Sequence, residues 1–145
     1  MKPLQGEHER LGAVRTRVRA ATKRLVLARG CEGLTLEQIA AQAGCGDEEL
    51  SQLFQSPGEC LLDAYLDFAE DFDRRVFAAF QDAEDWRSAL RAAAYETARY
   101  IEEKPEEVHF IVIGLLEAGP LVQAHRARHL QRLADMIDLG REELE

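Results

Sequence analysis

Three groups of side chains in this 145-residue chain are spaced in ways that could do chemistry. Glu48, Glu49, Ser51 and Gln52 carry the acceptors and the amide that read base edges: a glutamate accepts from a cytosine amino group, and a glutamine pairs with adenine. Arg10, Arg15, Arg17, Arg19, Lys23 and Arg24 are a supply of phosphate ligands. Phe68, Phe72, Trp86, Tyr95, Tyr100, His109, Phe110 and Ile113 offer the ring and aliphatic surface that lines a small-molecule pocket, although aromatics at helical spacing more often build a core.

Other constellations argue against catalysis. No Ser-His-acid set, glycine-rich phosphate loop or HExxH pattern occurs, so neither an enzyme nor a cofactor is expected. His125 and His129 are an i, i+4 pair, but Arg126, Arg128 and Arg132 surround them and no acidic ligand adjoins, so they read as surface residues. Glu70, Asp71 and Asp73 point in different directions from successive helical positions and read as a solvated face rather than a metal site. Cys31, Cys45 and Cys60 form no Cys-x-x-Cys pair and are expected as free thiols in a reducing cytoplasm, with Cys45 packing in a turn.

Charge is distributed unevenly. Residues 1–30 hold eight basic side chains and two acids, a surplus of six positive charges in a chain whose net charge is −9, so residues 31–145 carry fifteen negative. Only the N-terminal segment could attract a polyanion over distance. Between residues 30 and 73 there is no Lys or Arg at all, against eleven acids. The N-terminus lacks the apolar run of a signal peptide, and Val108 to Leu116 is too short to span a bilayer, so no membrane association is expected and the cytoplasm is the expected location.

The elements that must position these groups read as seven helices. Leu11, Val14, Val18, Ala21, Leu25 and Ala28 repeat at three and four residues and predict a first helix over Glu7 to Arg29, stopped by Gly30. Thr35 with Gln38 forms a capping box, flanked by a staple of Leu34 and Ile39, and opens a second helix ending near Gln42. Gly44 is free to take a left-handed backbone in the turn, and a third helix from Asp47 buries Leu50 with Leu53 or Phe54. Thr35 to Phe54 therefore has the layout of a helix-turn-helix. The acids in its third helix also have a plain explanation, because negative side chains in a first turn gain about 0.3–1 kcal/mol each from the helix dipole.

Ser56, Pro57 and Glu59 signal a fourth helix, capped by Ser56 and boxed by Glu59, whose stripe Leu61, Tyr65, Phe68, Phe72, Val76 and Phe80 predicts a long rod. A fifth is expected over residues 86 to 103, burying Trp86, Leu90, Ala94, Thr97 or Ala98, and Ile101. Pro105 with Glu106 and Glu107 opens a sixth; its run VHFIVIGLL reads as a central helix buried all round, with a buried strand as the competing reading. Gly119-Pro120 closes it, and a last amphipathic helix carries Leu130, Leu133 and Ile137.

These residues resemble the TetR family of bacterial regulators. The resemblance is close over Arg15 to about Leu62, through Val18, Leu25, Gly30, Thr35, Ile39-Ala40, Ala43-Gly44, Leu50, Phe54 and Leu61, and holds only in outline beyond. It implies an all-α fold: an N-terminal trihelical helix-turn-helix head, residues 1–55, joined by a long helix to a C-terminal helical regulatory layer, residues 56–145. It also implies a homodimer on double-stranded DNA, an unidentified small-molecule effector and repression of transcription. The implied DNA-facing residues are Arg15, Arg19, Thr35, Gly46, Glu48, Glu49, Ser51 and Gln52. The implied effector site takes Phe68, Phe72, Trp86, Tyr95, His109, Phe110 and Ile113.

This sequence departs from the family where phosphates are held. Positions that are commonly Ser or Thr, Lys or Arg, Tyr, and Lys are here Gly46, Asp47, Ser51 and Pro57, each removing a donor or adding repulsion. A scaffold that has given up strong DNA binding and acts as a small-molecule or protein-binding module is the second expectation. Family members commonly have two further helices for the dimer bundle, so the layer is expected to dimerise through other surfaces, such as the last helix, or to be incomplete at its C-terminus.

Overall fold

The computed structural model describes the backbone of residues 2–144 and the side chains of residues 6–143. Its helices are α1 (Lys2–Arg29), α2 (Leu36–Ala43), α3 (Asp47–Leu53), α4 (Pro57–Gln81), α5 (Trp86–Glu103), α6 (Pro105–His109) and α7 (Pro120–Leu144), with a π-helical turn at Phe110–Gly114 following α6. The fold is all-α, and there is no strand among the described residues. Internal packing divides the chain into two compact units: Met1–Tyr65 with His109–Val122, and Leu66–Val108 with Gln123–Glu145.

The first unit is built around α1. Val14 and Val18 are fully buried and join Leu25, Ile39, Ala40, Leu50, Phe54 and Cys60 in one cluster, with Leu34, Leu36 and Leu53 packed against it. Thr22 is buried on the same helix because its hydroxyl donates to the Val18 carbonyl at 2.8 Å, which satisfies it within α1. Ala28, expected in the stripe, is exposed, since the buried face passes through Val26 instead.

The capping box predicted for α2 is formed in both halves: Gln38 N–H donates to Thr35 Oγ at 3.2 Å, and Thr35 N–H donates to Gln38 Oε1 at 3.1 Å. Gly44 ends the helix at φ 69°, the left-handed conformation that only glycine adopts without strain. At the start of α4, Ser56 Oγ accepts from Glu59 N–H at 3.2 Å as expected. The Glu59 carboxylate, however, accepts from Gln55 N–H rather than closing the box on Ser56.

The run after Pro105 differs from the expectation. Neither a strand nor a helix buried all round is formed: α6 gives way to a π turn in which Leu115 N–H donates to the Phe110 carbonyl at 3.0 Å. Phe110, Ile111 and Leu115 are buried, while Val112, Ile113 and Leu116 are exposed. The turn sets Gly114 so close to α1 that a β-carbon there would lie 2.7 Å from Val26 Cγ1.

In the second unit the buried faces of α5 and α7 are rotated from those expected. On α5, Ala89 and Tyr100 are fully buried, while Ala94, Ala98 and Ile101 are exposed. Tyr100 carries more apolar area than Ile101 and meets Phe68 and Phe72 edge-on at centroid distances of 5.6 and 5.4 Å, which turns the helix toward it. On α7, His129 and Gly140 are buried, whereas Leu130 and Ile137 are exposed. Trp86 Nε1–H donates to the Ile137 carbonyl at 3.1 Å, and Gly140 admits the Phe80 ring, which fixes that end of α7.

Candidate functional site

The helix-turn-helix presents α3 as its outer face. Leu50 is buried at 1% exposure, and this pins α3 so that Glu48, Ser51 and Gln52 project outward with Thr35 at the start of α2. The side chain of Glu49 turns back: its Oε1 accepts from the N–H of Gly46, the N-cap residue of α3, at 3.3 Å. Ser51 Oγ donates to the Glu48 carbonyl at 2.9 Å. A concavity of about 370 Å³ lies between the helices, lined by Leu36, Glu37, Asp47, Glu48, Leu50 and Ser51. Gln52 and Glu48 are thus exposed on α3, and α3 itself supplies no cation.

The two α1 arginines expected to supply phosphate contacts are engaged elsewhere. Arg19 Nε and Nη2 donate to the Asp63 carboxylate at 3.0 and 3.4 Å, a two-pronged pair, and Arg15 Nη1 donates to the same carboxylate at 3.0 Å. The Asp63 side chain is only 14% exposed, and the Arg15 guanidinium also covers the Phe54 ring at 5.4 Å. Asp63 was not foreseen as a partner. Nothing in its sequence position distinguishes it from the other acids of α4, because its role depends on which face of α4 meets α1.

The other side of α1 faces the helix-turn-helix. Arg10 Nη1 lies 3.9 Å from Glu49 Oε2 and Arg10 Nη2 lies 3.6 Å from Glu7 Oε1. Arg17 Nη1 donates to the Gly44 carbonyl at a long 3.5 Å. Arg10 and Arg17 are both exposed.

The residues expected around an effector are divided between the units. In the second, Phe68 stacks on Phe72 at 5.5 Å and both meet Tyr100, while Trp86 is engaged with the Ile137 carbonyl and Tyr95 is 68% exposed. Beside the rings is a cavity of about 220 Å³ lined by Asp67, Phe68, Asp71, Arg74, Tyr100, Lys104 and Glu107. Lys104 Nζ donates to Asp71 Oδ2 at 2.8 Å and sits 5.5 Å from the Tyr100 ring centroid. That hydrogen bond, opposed by partial burial, holds the Asp71 carboxyl below the usual range; burial, with Glu107 and Asp71 nearby, pushes the Tyr100 phenol up.

In the first unit, His109 and Ile113 line a cavity of about 310 Å³ with Val26, Leu27, Gly30, Cys31, Gly114, Leu116 and Glu117, while Phe110 is fully buried. His109 is exposed at the end of α6, just before the π turn. Cys31 Sγ donates to the Gly114 carbonyl at 2.9 Å, and burial, then Glu117, raises its pKa. Burial and the charge of Glu49 raise that of Cys45. Burial, with Asp63 and Glu59, pushes the Cys60 thiol up to about 12. None of the three is an activated nucleophile.

Two surface assignments are corrected. His129, 4% exposed, is buried with Nε2 2.5 Å from Asp73 Oδ1 and its ring edge-on to Phe72. Asp71, ion-paired with Lys104, and Asp73, within hydrogen-bonding distance of His129, are therefore engaged by side chains rather than forming a solvated face, and of the three carboxylates in that cluster only Glu70 is exposed. Among the described residues no group of three or more His, Cys, Asp and Glu side chains could hold a metal ion, and no helix is long and apolar enough to cross a membrane.

No family model matches this sequence, and no curated protein matches it either. Among solved structures the fold is similar to that of a TetR family transcription regulator from Marinobacter aquaeolei VT8, with a TM-score of 0.76 and 22% sequence identity over 94% of this chain and 72% of that one.

Proposed function

We propose that this chain is a TetR-like, ligand-responsive transcriptional regulator, a repressor that binds operator DNA as a homodimer through the helix-turn-helix at residues 35–54. The observation that carries the reading is the local construction of that motif: the closed Thr35–Gln38 box, the left-handed Gly44, and a short α3 with Glu48, Ser51 and Gln52 outward. The likeness in fold to a TetR family transcription regulator supports it. Functionally, residues 1–55 are the DNA-binding head and residues 56–145 the regulatory layer. The protein works in the cytoplasm and performs no catalysis. Its effector occupies a cavity such as the one beside Phe68 and Tyr100, and regulates by favouring one head arrangement over another.

A second reading has its own support. The acidic first turn of α3 and the capture of Arg15 and Arg19 by Asp63 favour a scaffold that has given up strong DNA binding and serves as a small-molecule or protein-binding module. Selection of a random duplex library on the purified protein at low and moderate salt, with its oligomeric mass measured in the same buffers, separates the two. A palindromic site with half-sites about one helical turn apart, enriched by a dimer, establishes the regulator. A dimer that enriches nothing rejects DNA binding in favour of the module.

A further inference from the structure

Helix α1 carries two pairs of arginines on opposite flanks of one buried stripe. Val14 and Val18 face the core, Arg15 and Arg19 flank them on the α4 side, where Asp63 holds both, and Arg10 and Arg17 flank them on the side of α2 and α3. Seven residues is nearly two full turns, so Arg10 and Arg17 lie in line, about 10.5 Å apart along the helix.

We propose that Arg10 and Arg17 are the residues of α1 that grip the DNA backbone, while Arg15 and Arg19 are structural ties. The inference rests on the DNA-binding reading and names the cations that reading lacks. Three observations lead to it. The acids of the α3 first turn repel phosphate, and Arg10 stands beside one of them, Glu49, where a cation offsets that repulsion. The contacts holding Arg10, to Glu7 at 3.6 Å and Glu49 at 3.9 Å, and Arg17, to the Gly44 carbonyl at 3.5 Å, are exposed and long, so a phosphate can take their place. By contrast, Arg15 and Arg19 each reach Asp63 at 3.0 Å; Asp63 and Arg19 are shielded, with side-chain exposures of 14% and 23%, while Arg15 is 45% exposed, so turning Arg19 outward would take a partner from a shielded carboxylate. These four arginines are thereby divided by helix face.

The test is the salt dependence of binding to a random-sequence DNA duplex, measured for the wild-type chain, Arg10→Ala/Arg17→Ala and Arg15→Ala/Arg19→Ala, with a thermal melt of each. The expected result is that Arg10→Ala/Arg17→Ala melts with the wild type, binds all sequences more weakly, and shows a log affinity against log salt slope shallower by about two. Arg15→Ala/Arg19→Ala should melt lower and keep the wild-type slope while folded. Arg10→Gln/Arg17→Gln, which keeps the stem length, should repeat the loss of slope. A wild-type chain that binds duplex while Arg10→Ala/Arg17→Ala keeps its slope overturns this inference and leaves the DNA reading intact. A slope lost instead in folded Arg15→Ala/Arg19→Ala overturns it as well. No binding by the wild type at low salt overturns the DNA reading and this inference together.

Discussion

The Asp63 carboxylate on α4 lies 3.0 Å from Arg19 Nε on α1, and a second arginine, Arg15, reaches it from one turn earlier at the same distance. One acid therefore fixes how the first residues of α4 sit on α1. Asp63→Ala strands a part-buried guanidinium and should lower the stability of the first unit by about 1–3 kcal/mol. Asp63→Asn, which keeps one acceptor, should cost less. Denaturant melts of the two variants decide it, and a wild-type midpoint for Asp63→Ala would show the pairs to be energetically idle.

Gly140 is buried against Phe80, and a β-carbon there would sit 2.6 Å from Phe80 Cζ and 2.8 Å from Cε1. Alanine is ordinarily the better helix former by about 1 kcal/mol. At this position the clash should win, because Phe80 is itself buried, and Gly140→Ala should lose about 1–3 kcal/mol. A raised melting temperature would mean that Phe80 moves aside freely.

The Lys104–Asp71 pair should make the second unit sensitive to acid. Hydrogen bonding to Lys104 lowers the Asp71 pKa in the folded chain, so its contribution is full above the unfolded value of about 3.9 and is lost as pH falls through the depressed folded value. Melting temperatures of wild type and Asp71→Asn should differ near neutrality and converge in strong acid. Parallel curves at all pH values would count against the pair.

Cys60 is 1% exposed and its thiol is pushed up to about 12, so it should be the last of the three cysteines to react with a disulfide reagent near pH 8. Cys31 and Cys45, half-buried with raised pKa values, should react first but more slowly than a free thiol. Mass mapping of the labelled sites checks the order. Early labelling of Cys60 would mean that the packing of α4 against the head opens readily.

Gln52 projects from α3 without any phosphate ligand beside it on that helix. Under the DNA-binding reading, Gln52→Ala should change which sequences are enriched while leaving the salt slope of random-duplex binding unaltered. A uniform loss of affinity across all sequences would instead make Gln52 a backbone contact.

What the sequence determined by itself is local. The Thr35–Gln38 box, the left-handed turn at Gly44, the proline starts at Pro57 and Pro105, the break at Gly119-Pro120, and the long stripe of α4 are legible because each depends on residues within a few positions of one another. The tertiary structure decided everything that depends on which face meets which neighbour. Spacing marks Arg15 and Arg19 as cations but does not say that Asp63, 48 and 44 residues away, would take both. His129 reads as a surface residue beside three arginines until Asp73 and Phe72 bury it. On α5, two stripes compete, and the ring contacts of Tyr100 with Phe68 and Phe72 select the one that the aliphatic spacing did not favour. The VHFIVIGLL run is apolar on every side and so specifies no face of its own; it winds into a π turn with Gly114 docked on Val26. Local hydrogen bonds and backbone preferences are written in short stretches of chain, whereas ion-pair partners and buried faces are chosen only when distant segments exclude water together.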